Sequence, residues 1–196
     1  MDQPILVVSG PPRSGTSLMM QILEAAGVEL LCDDVRTPDP SNPRGYYELE
    51  AVKALARDAS FLEAASGKAV KIIHALLPRL PQGYQYAVLM MERDLDEVLA
   101  SQEKMRSRLV GPEAATPSVS KDALRSVFEK QIAAAHHWAE ASPGVELLRV
   151  PHRALITKPE AATQEIARFL EIAGWSSLDP QAMSDAVDPE LYRQRS

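Results

Sequence analysis

The side chains of this sequence best suited to chemistry cluster near its start, in "GPPRSGTS", Gly10–Ser17. Gly10 and Gly15 have the G-x-x-x-x-G spacing of a phosphate-binding loop. Glycines there let the backbone adopt left-handed angles and bring N–H groups close to an anion. A helical pattern starts at Thr16, so its unpaired N–H groups and the positive end of its dipole face the same point. Ser14, Thr16 and Ser17 add hydroxyl donors, and Arg13 adds permanent positive charge at the rim. Thr16 stands where a nucleotide triphosphatase carries the lysine that reaches the terminal phosphates. Such an enzyme also needs an acidic strand end for Mg²⁺, whereas "YAVLMMERD" closes on Glu92, Arg93 and Asp94 with no unambiguous metal-binding aspartate. These residue types favour an anion held by arginine, hydroxyls and backbone N–H groups, without a metal. A plain strand-to-helix turn is the alternative; two glycines and four donor side chains within Gly10–Ser17 weigh against it.

A second candidate group lies in "MERDLDEVLAS". Arg93 closes an apolar run, Asp94 can cap the helix that follows, and Ser101 lies two turns along that helix. Arg93 and Ser101 can converge on one phosphate only if the chain folds back near the helix start. Alone, they fit better a surface arginine beside a capped amphipathic helix. His136 and His137 lie side by side in a long helical pattern, about 100° apart in direction, so packing suits them better than a shared metal.

These groups must be positioned by the elements around them. Apolar runs at Ile5–Val8, Ala69–Ile73, Tyr86–Met91 and Val145–Val150 predict buried strands. Helical patterns at Thr16–Ala26, Glu48–Ala65, Leu95–Leu109, Lys121–Ala141 and Glu160–Ile172 separate them. Short buried strands alternating with helices predict an α/β fold with a mainly parallel sheet covered on both faces. Cys32–Gly45 and Arg108–Ser120 break the rhythm as long loops, the expected walls of a substrate site. At 196 residues and 45% hydrophobic, a single domain over 1–196 is expected. The net charge of −6 argues against a nucleic-acid partner, while leaving room for a local basic pocket. A lone cysteine, no basic leader and no long apolar run predict a cytoplasmic protein with no membrane partner.

Pro12, Arg13, Ser14, Gly15, Thr16 and Ser17 resemble the P-R/K-S-G-T-S/T loop of sulfotransferases, enzymes that use 3′-phosphoadenosine 5′-phosphosulfate (PAPS). Arg93, Asp94, Asp96 or Glu97, Val98 and Ser101 resemble that family's R-(D/N)-x-x-(D/E)-V-x-x-S segment. "NPRGYYELE" is similar to a segment of certain bacterial members, and "VELLRVPHRALITKPEAATQEIARFL" looks like the late strand and helix. The resemblance implies a three-layer P-loop-type fold, PAPS as co-substrate, no metal, and a small-molecule acceptor. It implies that Pro12–Ser17 bind the 5′-phosphosulfate and that Arg93 and Ser101 grip the 3′-phosphate. His152 falls near a tyrosine that many members place beside the adenine. The chain departs from animal cytosolic members in having Leu18 where an aromatic residue often follows the loop, and in lacking their late R-K-G segment. Arg193 and Arg195 could replace that segment or form a solvated basic tail.

In a sulfuryl transfer the leaving phosphate oxygen gains charge, and Arg13 with the loop N–H groups is the expected stabiliser. His74 matches the histidine base of a K-T-H-L-P segment in animal members. Lys71 is one residue farther back than that pattern requires, and strand alternation would put it on the face opposite His74. Glu48 and Glu50 compete as bases, because other branches use a glutamate. Two alternatives remain at this point: a P-loop kinase using ATP and Mg²⁺, and a catalytically inactive nucleotide-binding protein.

Overall fold

The computed structural model describes residues 3–33, 35–39, 42, 44–110, 120–176 and 178–188, with the side chains of 108–110 left aside. Four strands form a sheet in the order β2-β1-β3-β4, with β1 at Ile5–Ser9, β2 at Ala69–Lys71, β3 at Tyr86–Glu92 and β4 at Val145–Pro151. Every pairing is parallel: Val7 sits opposite Val70 and Val88, and Met90 opposite Arg149. All five residues of β1 are buried, as the unbroken apolar run requires of a central parallel strand covered on both sides.

Alternation along β1 divides the core. Leu6 and Val8 pack with Leu89 and Met91 against α1 (Thr16–Ala25), α4 (His152–Thr157), α5 (Pro159–Ile172) and α6 (Pro180–Asp185). Ile5 and Val7 pack with Val88 and Met90 on the other face, against Leu62, Leu77 and Ala135. Ala135 belongs to α3 (Lys121–Ala141), which also meets α2 (Leu95–Val110). The result is a three-layer α/β fold. Among the described residues no helix is long and apolar enough to cross a membrane.

The sequence expectations hold for the strands and most helices, with three corrections. The pattern over Glu48–Ala65 does not form one helix. It folds as two 3₁₀ turns, Glu50–Ala54 and Ser60–Ala64. Asp58 Oδ1 accepts from the Ser60 N–H at 2.9 Å, a local bond that competes with continuing the helix. Strand β2 ends at Lys71 rather than Ile73, because a 3₁₀ turn begins at His74. The short helices α4 and α6 were not anticipated, and most of the expected Arg108–Ser120 loop lies outside the described residues.

Candidate functional site

Because every strand is parallel, all four carboxyl ends open on one edge of the sheet. The chain runs from β1 out to β2 on one side, then crosses to β3 on the other. That reversal leaves a crevice between the ends of β1 and β3, where ligands of open α/β sheets bind. A cleft of about 350 Å³ occupies it.

The Gly10–Gly15 turn forms its floor. Gly10 has φ 148°, and a Cβ there would come within 2.8 Å of the Met91 carbonyl on β3. Gly15 has φ 103°, and a Cβ would come within 2.5 Å of the His152 ring. Both glycines are therefore demanded by angle and by space. Gly15 is also the N-cap of α1 and has no side chain to cap it, so the first N–H groups of the helix have no side-chain acceptor from the cap. Arg13 adopts φ 74°, a left-handed angle that a non-glycine residue takes only when its surroundings enforce it.

What enforces it is the second group of residues. Arg93 Nη1 donates to the Arg13 carbonyl at 3.1 Å, and Arg13 Nε donates to Ser101 Oγ at 3.1 Å. Arg93 follows β3, its Nε donating to Glu97 at 2.8 Å, while Asp94 Oδ1 accepts from the N–H groups of Asp96 and Glu97 to start α2. The two sequence motifs thus meet through Arg13, which spans the gap between the start of α2 and Ser101. Burial pulls the Arg13 guanidinium below its ordinary value, helped by the charge of Arg93.

Of the predicted binding residues, Pro12, Arg13, Gly15, Thr16, Ser17, Arg93 and Ser101 line the cleft. Ser14 does not. It is fully buried within the turn, and its hydroxyl has no hydrogen-bond partner among the described residues. Glu48 lines the cleft, whereas Glu50 faces outward and holds Lys53 at 2.6 Å. His74 is off the cleft wall and only 1% exposed. Its Nδ1–H donates to the Gly10 carbonyl at 3.2 Å, and its ring packs edge-on against Phe128. Burial lowers its pKa. A histidine so placed supports the loop from beneath and is not among the residues that line the cleft.

Lys71 does face the cleft. Its Nζ donates to Ser17 Oγ at 3.1 Å and to the Tyr46 carbonyl, and lies 3.8 Å from Glu48 Oε1. Burial pulls the ammonium down to about 8, against the opposing pull of Glu48. The segment that carries Tyr46 walls this side. Asn42 Nδ2 donates to Ser17 Oγ at 3.0 Å, and the Tyr46 hydroxyl donates to Asp39 at 2.7 Å. Arg36 lies 3.5 Å from the centre of the Tyr46 ring and bonds Glu48 at 2.9 Å. Arg36, Asn42 and Tyr46 were missed as individual site residues; Arg36 and Asn42 belong to the Cys32–Gly45 loop that was expected to be a wall, and Tyr46 follows it directly.

Among the described residues, four cationic side chains (Arg13, Arg36, Lys71 and Arg93) and two acidic ones (Glu48 and Asp188) line the cleft. A chain of net charge −6 thus concentrates positive charge at one crevice. Among the described residues no cluster of three or more histidine, cysteine or acidic side chains is arranged to hold a metal ion.

No family model and no curated protein matches this sequence. Solved structures do. A sulfotransferase domain from the curacin biosynthetic pathway is similar with a TM-score of 0.52 at 15% identity, over 96% of this chain and 89% of that one. An unliganded sugar kinase from Janibacter sp. HTCC2649 is similar with a TM-score of 0.48 at 15% identity, over 92% and 98%. At such identity the first likeness bears on the fold alone, and agrees with a parallel α/β sheet flanked by helices.

Proposed function

We propose that this chain is a sulfotransferase that takes PAPS as donor and transfers its sulfuryl group to a hydroxyl or amine of a small acceptor, without a metal. The observation that carries the reading is the Arg93–Arg13–Ser101 chain of hydrogen bonds, which fuses two motifs distant in sequence into one anion site. A donor with phosphate at both ends of its ribose asks for two such groups, whereas a plain nucleoside 5′-phosphate asks for one.

The donor set fits this compound. Thr16, Ser17 and the first turn of α1 face the 5′ end, and Arg93 with Ser101 faces the 3′-phosphate. In the reaction, the acceptor oxygen bonds to sulfur while the bond from sulfur to the 5′-phosphate oxygen breaks, and that oxygen leaves with the electron pair. Arg13 and the loop N–H groups stabilise the charge it gains; one such donor is typically worth about 2.7–4 kcal/mol in the transition state. Lys71 neutralises the sulfuryl oxygens from the β2 side. Glu48, on the same wall, takes the acceptor proton in place of His74. Arg36 and Lys71 flank its carboxylate and hold it towards the cleft.

Calorimetric titration with adenosine 3′,5′-bisphosphate in EDTA tests the reading. Binding that ATP with Mg²⁺ does not displace is expected. Tight ATP–Mg²⁺ binding with none to the bisphosphate would overturn it in favour of a kinase.

A further inference from the structure

Two helices turn a second kind of surface to the cleft. Leu18 and Gln21 lie one turn apart on α1, His152 and Ile156 one turn apart on α4, and all four line the cleft. The two helices approach at the start of α1, where the His152 ring lies close to the N-cap Gly15. Leu18 and Ile156 pack partly buried on the apolar core. His152 is 6% exposed, and burial, reinforced by the charge of Arg93, pulls it down to about 4, so it is neutral at physiological pH. This wall is therefore uncharged and largely apolar where the rest of the cleft is cationic. It suits the flat faces of a nucleobase rather than a phosphate.

One polar group interrupts it. Gln21 Oε1 is buried and has no hydrogen-bond partner among the described residues. Folded proteins rarely leave a buried amide oxygen without a donor, because it has given up water for nothing. The last torsion of glutamine is soft, so the oxygen can turn into the cleft it borders without moving α1.

We infer that Gln21 reads the base of the bound nucleotide: its amide oxygen accepts from the exocyclic amine of adenine, with Leu18, Ile156 and His152 against the ring. This rests on the reading of the cleft as a nucleoside bisphosphate site, and adds a selectivity residue to it. Adenine offers a donor at that edge. Guanine and hypoxanthine offer a carbonyl oxygen there, which the amide can meet only by turning its NH₂ to the base and leaving its oxygen without a donor again.

The test compares the 3′,5′-bisphosphates of adenosine, inosine and guanosine by calorimetry on the wild-type chain, Gln21→Met and Gln21→Glu. Wild type should prefer the adenosine compound by about tenfold or more, the worth of one hydrogen bond won instead of lost. Gln21→Met keeps the length and removes the acceptor, and should bring the three within about threefold of each other. Gln21→Glu keeps an acceptor that cannot turn over into a donor, and should preserve the preference while binding all three more weakly. The readout is a ratio within one preparation, so a partly unfolded variant does not distort it. A tenfold preference that survives in Gln21→Met overturns the inference. So does wild type binding all three alike, and since the phosphates are then still gripped, the sulfotransferase reading stands. Wild type binding none of the three overturns both.

Discussion

Raising the pH should stabilise this protein between about pH 8 and 10.5 through a single side chain. Lys71 is 9% exposed, and its proton is held at about 8 in the folded chain against an ordinary 10.5. Below pH 8 the ammonium is charged in both states, and the native state carries the full cost of burying it. Between 8 and 10.5 the native amine is neutral while the unfolded chain still holds the proton, so the unfolded state binds more protons and the native state gains as pH rises. The separation corresponds to about 3 kcal/mol at roughly 1.4 kcal/mol per pH unit. Lys71→Met removes that cost together with the two hydrogen bonds from Nζ to Ser17 Oγ and the Tyr46 carbonyl, at about 1 kcal/mol each. At pH 7 the variant should therefore be more stable than wild type by about 1 kcal/mol. By pH 10 the order should reverse, with a total swing of about 2–3 kcal/mol. Urea unfolding followed by tryptophan fluorescence at pH 7, 8, 9 and 10 measures it, and subtracting the two proteins cancels the tyrosines. A wild-type-minus-variant difference that is flat within about 0.5 kcal/mol across this range would refute the burial of a charge in the cleft.

Three further outcomes are expected. Arg93→Ala should weaken adenosine 3′,5′-bisphosphate at least about tenfold more than adenosine 5′-phosphate, since a hydrogen bond to a charged group is worth about 1.5–3 kcal/mol; equal losses in calorimetry would remove the 3′-phosphate role. Gly15→Ala should destabilise by clearly more than Gly27→Ala in urea melts, because both sit at positive φ but only Gly15 has a neighbour, His152, within 2.5 Å of the added Cβ; similar losses would mean that the α4 contact is soft. Glu48→Gln should cut sulfuryl transfer by about 100-fold or more with bisphosphate affinity within about threefold, whereas His74→Gln should lower stability first; a Glu48→Gln enzyme of wild-type rate would eliminate the proposed base.

How much of this was legible in the sequence follows from which contacts are local. The loop, its helix and the four strands follow from spacing and apolar runs alone, and the structure has them within a residue or two. The link between Arg93 and Ser101 was not readable from their separation, since two helical turns part them; it runs through Arg13, which reaches across from the loop after β1. The failure at Glu48–Ala65 is of the opposite kind. Val52, Leu55 and Leu62 have helix-like spacing because each packs on the sheet, but an Asp58–Ser60 turn breaks the backbone between them. Hydrophobic periodicity reports which residues are buried, and only indirectly how the backbone gets them there.

The doubt over Lys71 has the same root and bears most on mechanism. Alternation would have set Lys71 and His74 on opposite faces, but it applies only while the strand lasts. Strand β2 ends at Lys71, and a 3₁₀ turn starting at His74 carries the histidine beneath the loop while the lysine reaches across it. The ammonium that Thr16 fails to supply is thus delivered to Ser17, the next residue of the cradle, from the neighbouring strand. A lysine on the loop itself rides along the nucleotide's terminal phosphates. On the proposed reading, one arriving from β2 beside Glu48 belongs to the acceptor end of the cleft. The loop therefore keeps its glycine turn while the ammonium comes to it from the neighbouring strand, and on the proposed reading this moves the charge from the side of the donor to the side of the reaction.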